Sequence, residues 1–286
     1  MTVVAALGAF ASMAAVGVFP TPAGGDLAPS SEVVVGASGE TVPRKLPRAR
    51  MVPATLRLGF TSERPGAPRT PELTAIRLEV SRNLALQTVG LPSCPIAALY
   101  SVSSQAGQGC RGSLIGHGTV ASEVALPGQA PVKIEGRLSA FYDFAEGQPR
   151  ILAQVTSAGA LPLTYVIPFT IERVRGVFGT ILSVEQMRFI AGICARGHPN
   201  CFSQTYTYKG IYGRISKFEL TLARRFVHAG KSMSLVSAEC PARGGSSSAT
   251  FPLVKVELSY PELVVSSQVA TRRCEVAPST HRRGKR

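Results

Sequence analysis

The chain has 286 residues, of which 45% are hydrophobic and 17% charged, so it can build a core and is not disordered as a whole. Thirty-one Lys and Arg against 17 Asp and Glu give a net charge of +14, and 28 Gly with 21 Pro indicate many turns, which disfavours a helical bundle. These counts name no reaction and no ligand.

Residues 1–23 contain an uncharged apolar run, residues 3–19. A run of this kind followed by small residues near Ala23 is typical of a cleaved signal peptide, although no Lys or Arg precedes it. Its length also reaches the lower limit for a membrane span, so a retained N-terminal anchor stays open and would be the only membrane contact. We expect a secreted or cell-envelope-associated protein, outside the cytoplasm.

The chain has six cysteines, an even number that in an exported protein indicates disulfides. Fifteen connectivities are formally open, and local spacing favours Cys94–Cys110, Cys194–Cys201 and Cys240–Cys274. A zinc site at Cys194, His198 and Cys201 is the competing interpretation. It is disfavoured because structural zinc prefers four ligands and no CxxC pair is present. We expect no metal and no cofactor.

Composition and periodicity divide the chain into four predicted parts. Residues 1–23 are the signal peptide or anchor, and residues 24–53, rich in Gly, Pro and Ser without periodicity, are predicted to be a flexible lead-in. Residues 54–276 are predicted to form one β domain, and residues 277–286 a basic disordered tail.

Apolar and polar residues alternate with a period of two in several segments of the predicted domain, which is the pattern of half-buried strands. The apolar positions are Leu56/Leu58/Phe60, Ile76/Leu78/Val80, Val132/Ile134, Ile167/Phe169/Ile171, Phe218/Leu220/Leu222 and Val254/Val256/Leu258. Such strands between Gly and Pro turns predict an all-β fold, an antiparallel two-sheet β-sandwich in a single domain.

At most one or two short helices are expected. The better candidate is Val184–Arg196, where apolar residues recur at helical spacing after a capping-box pattern at Ser183, although strand plus loop stays open. Pro95–Tyr100 is expected to form a short helical turn.

One internal repeat is visible, because Arg175–Ile181 matches Lys209–Ile215 at an offset of 34 residues. The structural interpretation is two equivalent strands whose glycines permit a bulge or a close backbone approach. The functional interpretation is a binding surface formed by Phe178 and Tyr212, to which His117 could also contribute. We favour the structural one.

Catalytic motifs are scarce. Asp143 is the only Asp in the predicted domain, which disfavours a Ser-His-Asp triad, and the low Asp count disfavours calcium sites. Gly116-His117-Gly118 is the most suggestive histidine context, since flanking glycines expose a side chain. Fifteen Glu keep open a secreted hydrolase that uses Glu carboxylates, with or without His117. No catalytic residue is predicted.

The positive charge is weighted toward the C-terminus. Residues 272–286 hold six cationic and one acidic residue, or +5, residues 24–50 add +1, and +8 remains for the rest. An exported cationic protein is expected to meet anionic cell-envelope polymers or lipid headgroups. The compartment and the lack of a recognisable module disfavour nucleic acid.

The segments Leu91-Pro92-Ser93-Cys94-Pro95 and Ser237-Ala238-Glu239-Cys240-Pro241, with Cys110, Gly116-x-Gly118 and Cys274, resemble exported proteins of unknown function from high-GC Gram-positive bacteria. The resemblance covers most of residues 54–276. It implies an exported β-rich domain with cysteines at these places and no activity. We therefore expect a non-enzymatic exported protein with a structural or binding role at the cell envelope.

Overall fold

Strands dominate the computed structural model, which describes residues 33–67, 69–99, 108–124, 130–157, 164–185, 213–261 and 265–278. The only helices in these ranges are two short 3₁₀ helices, Ile96–Leu99 and Gln108–Ser113. The strands are β1 Val34–Val42, β2 Lys45–Leu46, β3 Val52–Pro53, β4 Thr55–Glu63, β5 Ala75–Ser81, β6 Leu84–Leu86, β7 Leu114–Val124, β8 Val132–Ala145, β9 Gln148–Thr156, β10 Thr164–Arg173, β11 Phe178–Val184, β12 Gly213–Leu222, β13 Arg225–His228, β14 Lys231–Ser234, β15 Val236–Ala238, β16 Ser248–Ser259 and β17 Ser266–Val276. The predicted β-rich class and the helical turn after Cys94 are confirmed.

Twelve strands form one sheet in the order β1-β4-β12-β7-β8-β9-β10-β11-β5-β16-β17-β2. Neighbours run antiparallel except β17 and β2, which are parallel. The six segments with period-two alternation are β4, β5, β8, β10, β12 and β16, and their apolar positions are buried except Val132, which is half-buried. A hairpin, β13-β14, and a small sheet, β3-β15-β6, complete the described elements.

The large sheet curls so strongly that distant strands touch. Phe169 on β10 and Phe218 on β12 have ring centroids 5.7 Å apart although three strands separate them in the sheet. In a flat sheet that separation would be roughly 19 Å, at about 4.8 Å per strand. The two ends of the sheet also meet, since Arg272 on β17 lies 2.9 Å from Glu40 on β1. The sheet is thus a continuous curled half-barrel, and the predicted division into two packed sheets is not confirmed.

Two glycines on β7 permit the curl. A Cβ atom at Gly118 would lie 1.9 Å from the carbonyl oxygen of Glu219, and one at Gly116 would lie 2.3 Å from that of Thr221. Any side chain at these positions would therefore push β7 away from β12. The glycines that flank His117 are explained by strand packing.

The strands begin earlier than the sequence predicted. β1 and β2 lie in residues 24–53, so the flexible lead-in does not extend over residues 34–53. β1 shows no apolar alternation because it packs through small residues: a Cβ at Gly39 would lie 2.8 Å from Leu253. Leu46 on β2 is fully buried and fixes this segment to the core.

The described part of the chain contains two disulfides, Cys94–Cys110 and Cys240–Cys274, which are two of the three pairs that spacing favoured. Disulfides are compatible with a location outside the cytoplasm. The Cys194–Cys201 pair, residues 186–196 of the candidate helix, the N-terminal apolar run and most of the tail lie outside the described residues.

The Cys94–Cys110 bridge belongs to a lobe that covers the outer face of β8 and β9. It packs with Leu99, Phe141 and Leu152, all buried. Asp143 holds the lobe, because it accepts a hydrogen bond from Ser93 Oγ at 2.8 Å and pairs with Arg150 at 2.5 Å. This buried Asp therefore has a structural role.

Among the described residues, no helix is long and apolar enough to cross a membrane. Within the same ranges, no three His, Cys, Asp or Glu side chains are grouped so that they could hold a metal ion.

Candidate functional site

The two described residues of the predicted binding surface, His117 and Phe178, lie on different strands. His117 is exposed on β7, opposite Thr221 and Ser139, and three strands separate β7 from β11, where half-buried Phe178 lies. Tyr212 lies outside the described residues.

The first copy of the repeat has a structural explanation. The register of β11 against β5 shifts between Phe178 and Thr180, and a Cβ at Gly179 would lie 2.9 Å from Arg82 Cα. The glycine thus allows both a bulge and a close backbone approach, as the structural interpretation predicted.

Two carboxylates share a concave site, as the hydrolase alternative requires. Glu40 and Glu219 line a cavity of about 490 Å³ together with Arg44, Arg57 and Arg272, which we call the Glu40 pocket. Glu40 lies 3.5 Å, 3.3 Å and 2.9 Å from these three guanidinium groups in that order.

The electrostatics of this pocket oppose acid catalysis. A hydrogen bond from Lys217, with further help from Thr119, lowers the pKa of Glu219 against the opposing effect of burial. Glycoside hydrolysis needs one carboxyl group whose pKa is raised so that it can donate a proton. Glu219 does not meet that requirement. Glu40 is engaged by three guanidinium groups.

A second cavity, of about 320 Å³, contains a carboxyl group with the opposite shift. Burial raises the pKa of Glu72, while the nearby Arg214 lowers it. Arg64 and Arg69 also line this cavity, and Glu72 is the one carboxyl group among its described lining residues. The described lining therefore offers no second carboxylate of the kind that a hydrolase uses.

A third cavity, a cationic groove of about 840 Å³, is larger than these two. Lys45, Arg48 and Arg50 line it together with Gly245, Ser247 and residues 276–278. We call it the basic groove. No Asp or Glu is among its lining residues.

Main-chain hydrogen bonds fix the walls of the basic groove. Ala277 N donates to Leu46 O at 2.9 Å, and Cys240 N donates to Pro47 O at 2.9 Å. Arg48 in turn donates to the carbonyl oxygen of Ser246. Because Cys240 is bonded to Cys274 on β17, the disulfide joins both sides of the groove.

The cations of the groove are only partly neutralised. Lys45 Nζ lies 3.8 Å from Glu275, which lies beside the groove, and both side chains are more than half exposed. Exposed pairs of this kind are weak. Arg48 and Arg50 have no carboxylate partner within 4.0 Å among the described residues. Guanidinium groups present planar sets of donors that suit phosphate and carboxylate oxygens.

Sequence reasoning missed this groove because its cations belong to the segment predicted to be a flexible lead-in. The signal that could have found it is four cations, Arg44, Lys45, Arg48 and Arg50, within seven residues around an apolar Leu46. The proline and glycine residues nearby led to the prediction of a flexible segment, although Leu46 is a core residue.

Neither models of known families, nor curated proteins, nor solved structures gave a match to this chain.

Proposed function

We propose that this is an exported, non-catalytic binding protein whose basic groove holds an anionic polymer of the cell envelope. The observation that carries the proposal is the groove itself, with three cations and no lining carboxylate. Export is supported by the apolar N-terminal run and by the two disulfides.

The shape of the groove favours a polymer chain over a membrane surface. Lys45, Arg48 and Arg50 are exposed along a concave surface, whereas lipid headgroups form a flat layer. The basic tail begins where the groove ends, because Pro278 lines the groove and four Lys and Arg follow within residues 279–286. A polymer with many charges can engage both, which strengthens binding through multivalency.

The experiment measures binding of the purified protein to a poly(glycerol phosphate) by calorimetry. The variant combines Lys45→Gln, Arg48→Gln and Arg50→Gln. We expect it to bind roughly three- to 150-fold more weakly, because each of the three lost ion pairs contributes roughly 0.2–1 kcal/mol and every 1.4 kcal/mol is tenfold in affinity. The matched control combines Arg82→Gln, Arg111→Gln and Arg175→Gln, which remove the same charge from exposed positions outside the groove.

Equal weakening in both triple variants would show that only net charge matters and would contradict a specific groove. Vesicles of phosphatidylglycerol provide the second arm. Tighter binding to vesicles than to the polymer at equal phosphate concentration would identify a lipid surface as the ligand and overturn the polymer proposal.

A further inference from the structure

The Glu40 pocket has more positive than negative charge. Its three arginines share one carboxylate, Glu40, which leaves +2, while Glu219 is balanced by Lys217 at 2.9 Å. The side chains of Arg44 and Arg57 are 68% and 59% exposed, so both can contact a ligand from solvent. The pocket is therefore suited to an anionic group.

The Glu40 pocket adjoins the basic groove along the chain. Arg44 lines the pocket, and the next residue, Lys45, lines the groove. On β17, Arg272 lines the pocket and Val276 lines the groove. Four residues of extended strand span roughly 13 Å, at about 3.3 Å per residue. One extended ligand can reach both places.

We propose that the Glu40 pocket is a second subsite of the surface that includes the basic groove. The ligand class is then a linear polyanion with anionic groups that can reach sites roughly 13 Å apart. This inference rests on the proposed function and specifies its ligand: a single small anion fills one subsite only, and linkage of two weak sites supplies the affinity.

Glu40 acts in this proposal as an internal competitor. Its two oxygens accept hydrogen bonds from the guanidinium groups that an incoming phosphate would bind. Arg44 and Arg272 donate to Oε1, and Arg57 donates to Oε2. Replacing the carboxylate by an amide removes the competing charge while keeping the shape and an acceptor oxygen. The variant Glu40→Gln should therefore bind the polyanion more tightly.

The experiment compares Arg57→Gln, Glu40→Gln and the control Arg175→Gln with the unchanged protein. Arg57→Gln leaves the Arg272–Glu40 pair in place, and Arg175 is exposed and lines neither site. The probes are a long poly(glycerol phosphate) and monomeric glycerol phosphate, and a urea midpoint for each variant reports folding.

We expect Arg57→Gln to weaken polymer binding about two- to fivefold and Glu40→Gln to strengthen it by a similar factor. Arg175→Gln should leave polymer binding unchanged. The unchanged protein should bind the polymer at least about a hundredfold more tightly than the monomer.

Polymer binding by Arg57→Gln equal to that by Arg175→Gln would overturn the second subsite. The proposed function would still stand without the second subsite if the groove variant Lys45→Gln/Arg48→Gln/Arg50→Gln binds the polymer more weakly than the unchanged protein. Weaker polymer binding by Glu40→Gln together with a lower urea midpoint would show that Glu40 only stabilises the contact between β1 and β17. That result would also contradict the proposal.

Discussion

At the scale of single residues, the buried polar groups serve the fold. Tyr165 lies on the core face of β10, and burial raises its pKa to about 12 against the opposing effect of a hydrogen bond with Ser122. Tyr142 and Tyr260 have pKa values raised in the same direction by burial. A tyrosine that ionises more readily in the unfolded chain than in the fold makes stability sensitive to alkali.

The stabilising contribution of Tyr165 should be fully present below pH 10, the pKa of an unfolded tyrosine, and lost as pH rises to about 12. The loss amounts to about 2–3 kcal/mol, at 1.36 kcal/mol per pKa unit. The variant Tyr165→Phe should lose less stability over the same interval. Urea unfolding at several pH values measures this, and an identical pH dependence in the variant would contradict the assignment.

The roles of single residues were only partly predictable from the sequence. Flanking glycines made His117 look like a ligand-binding position, yet Gly116 and Gly118 are required by the approach of β7 to β12. That approach joins residues about a hundred positions apart in the chain, so no local pattern reports it. The two observed disulfides were predictable because each bridges a short stretch, 16 and 34 residues.

At the scale of elements, strands with a regular apolar face were predictable and strands that pack through glycine were not. β4 and β5 bury alternate apolar side chains and show the pattern, whereas β1 contacts its neighbours through Gly36 and Gly39. β2 is two residues long and owes its position to Leu46 and to the backbone of β17. The basic groove is built on these less regular elements.

The two disulfides should therefore differ in their effect on binding. Cys240→Ala with Cys274→Ala opens a 34-residue loop, which lowers the free energy of unfolding by roughly 3–4 kcal/mol, and it releases the groove wall at Pro47. Cys94→Ala with Cys110→Ala opens a 16-residue loop at a cost of about 3 kcal/mol in a lobe apart from the groove.

We expect only the first variant to weaken polymer binding when both are measured well below their unfolding temperatures. Calorimetry of the two double variants makes the comparison. Equal affinities would mean that the disulfide does not position the groove, whereas a loss in the second variant alone would move the binding surface to the Cys94–Cys110 lobe.

At the scale of the whole molecule, the net charge of +14 becomes meaningful through its distribution. The sequence located +5 in the last fifteen residues, and the structure adds a groove where Lys45, Arg48 and Arg50 gather beside the start of that tail. Parallel pairing places β2 beside β17, and the curl of the sheet brings β1 to β17. The curl depends on contacts between strands that are far apart in the chain. The alternation of apolar and polar residues within single strands therefore could not predict it.

The salt dependence of polymer binding tests electrostatic capture by the basic groove most directly. Between about 0.1 M and 1 M NaCl the screening length falls from about 10 Å to 3 Å. We predict that the affinity of the unchanged protein for poly(glycerol phosphate) falls at least about tenfold over this range. The fall should be smaller in Lys45→Gln/Arg48→Gln/Arg50→Gln than in the matched Arg82→Gln/Arg111→Gln/Arg175→Gln control. An affinity independent of salt, or one whose salt dependence is the same in both triple variants, would contradict the account.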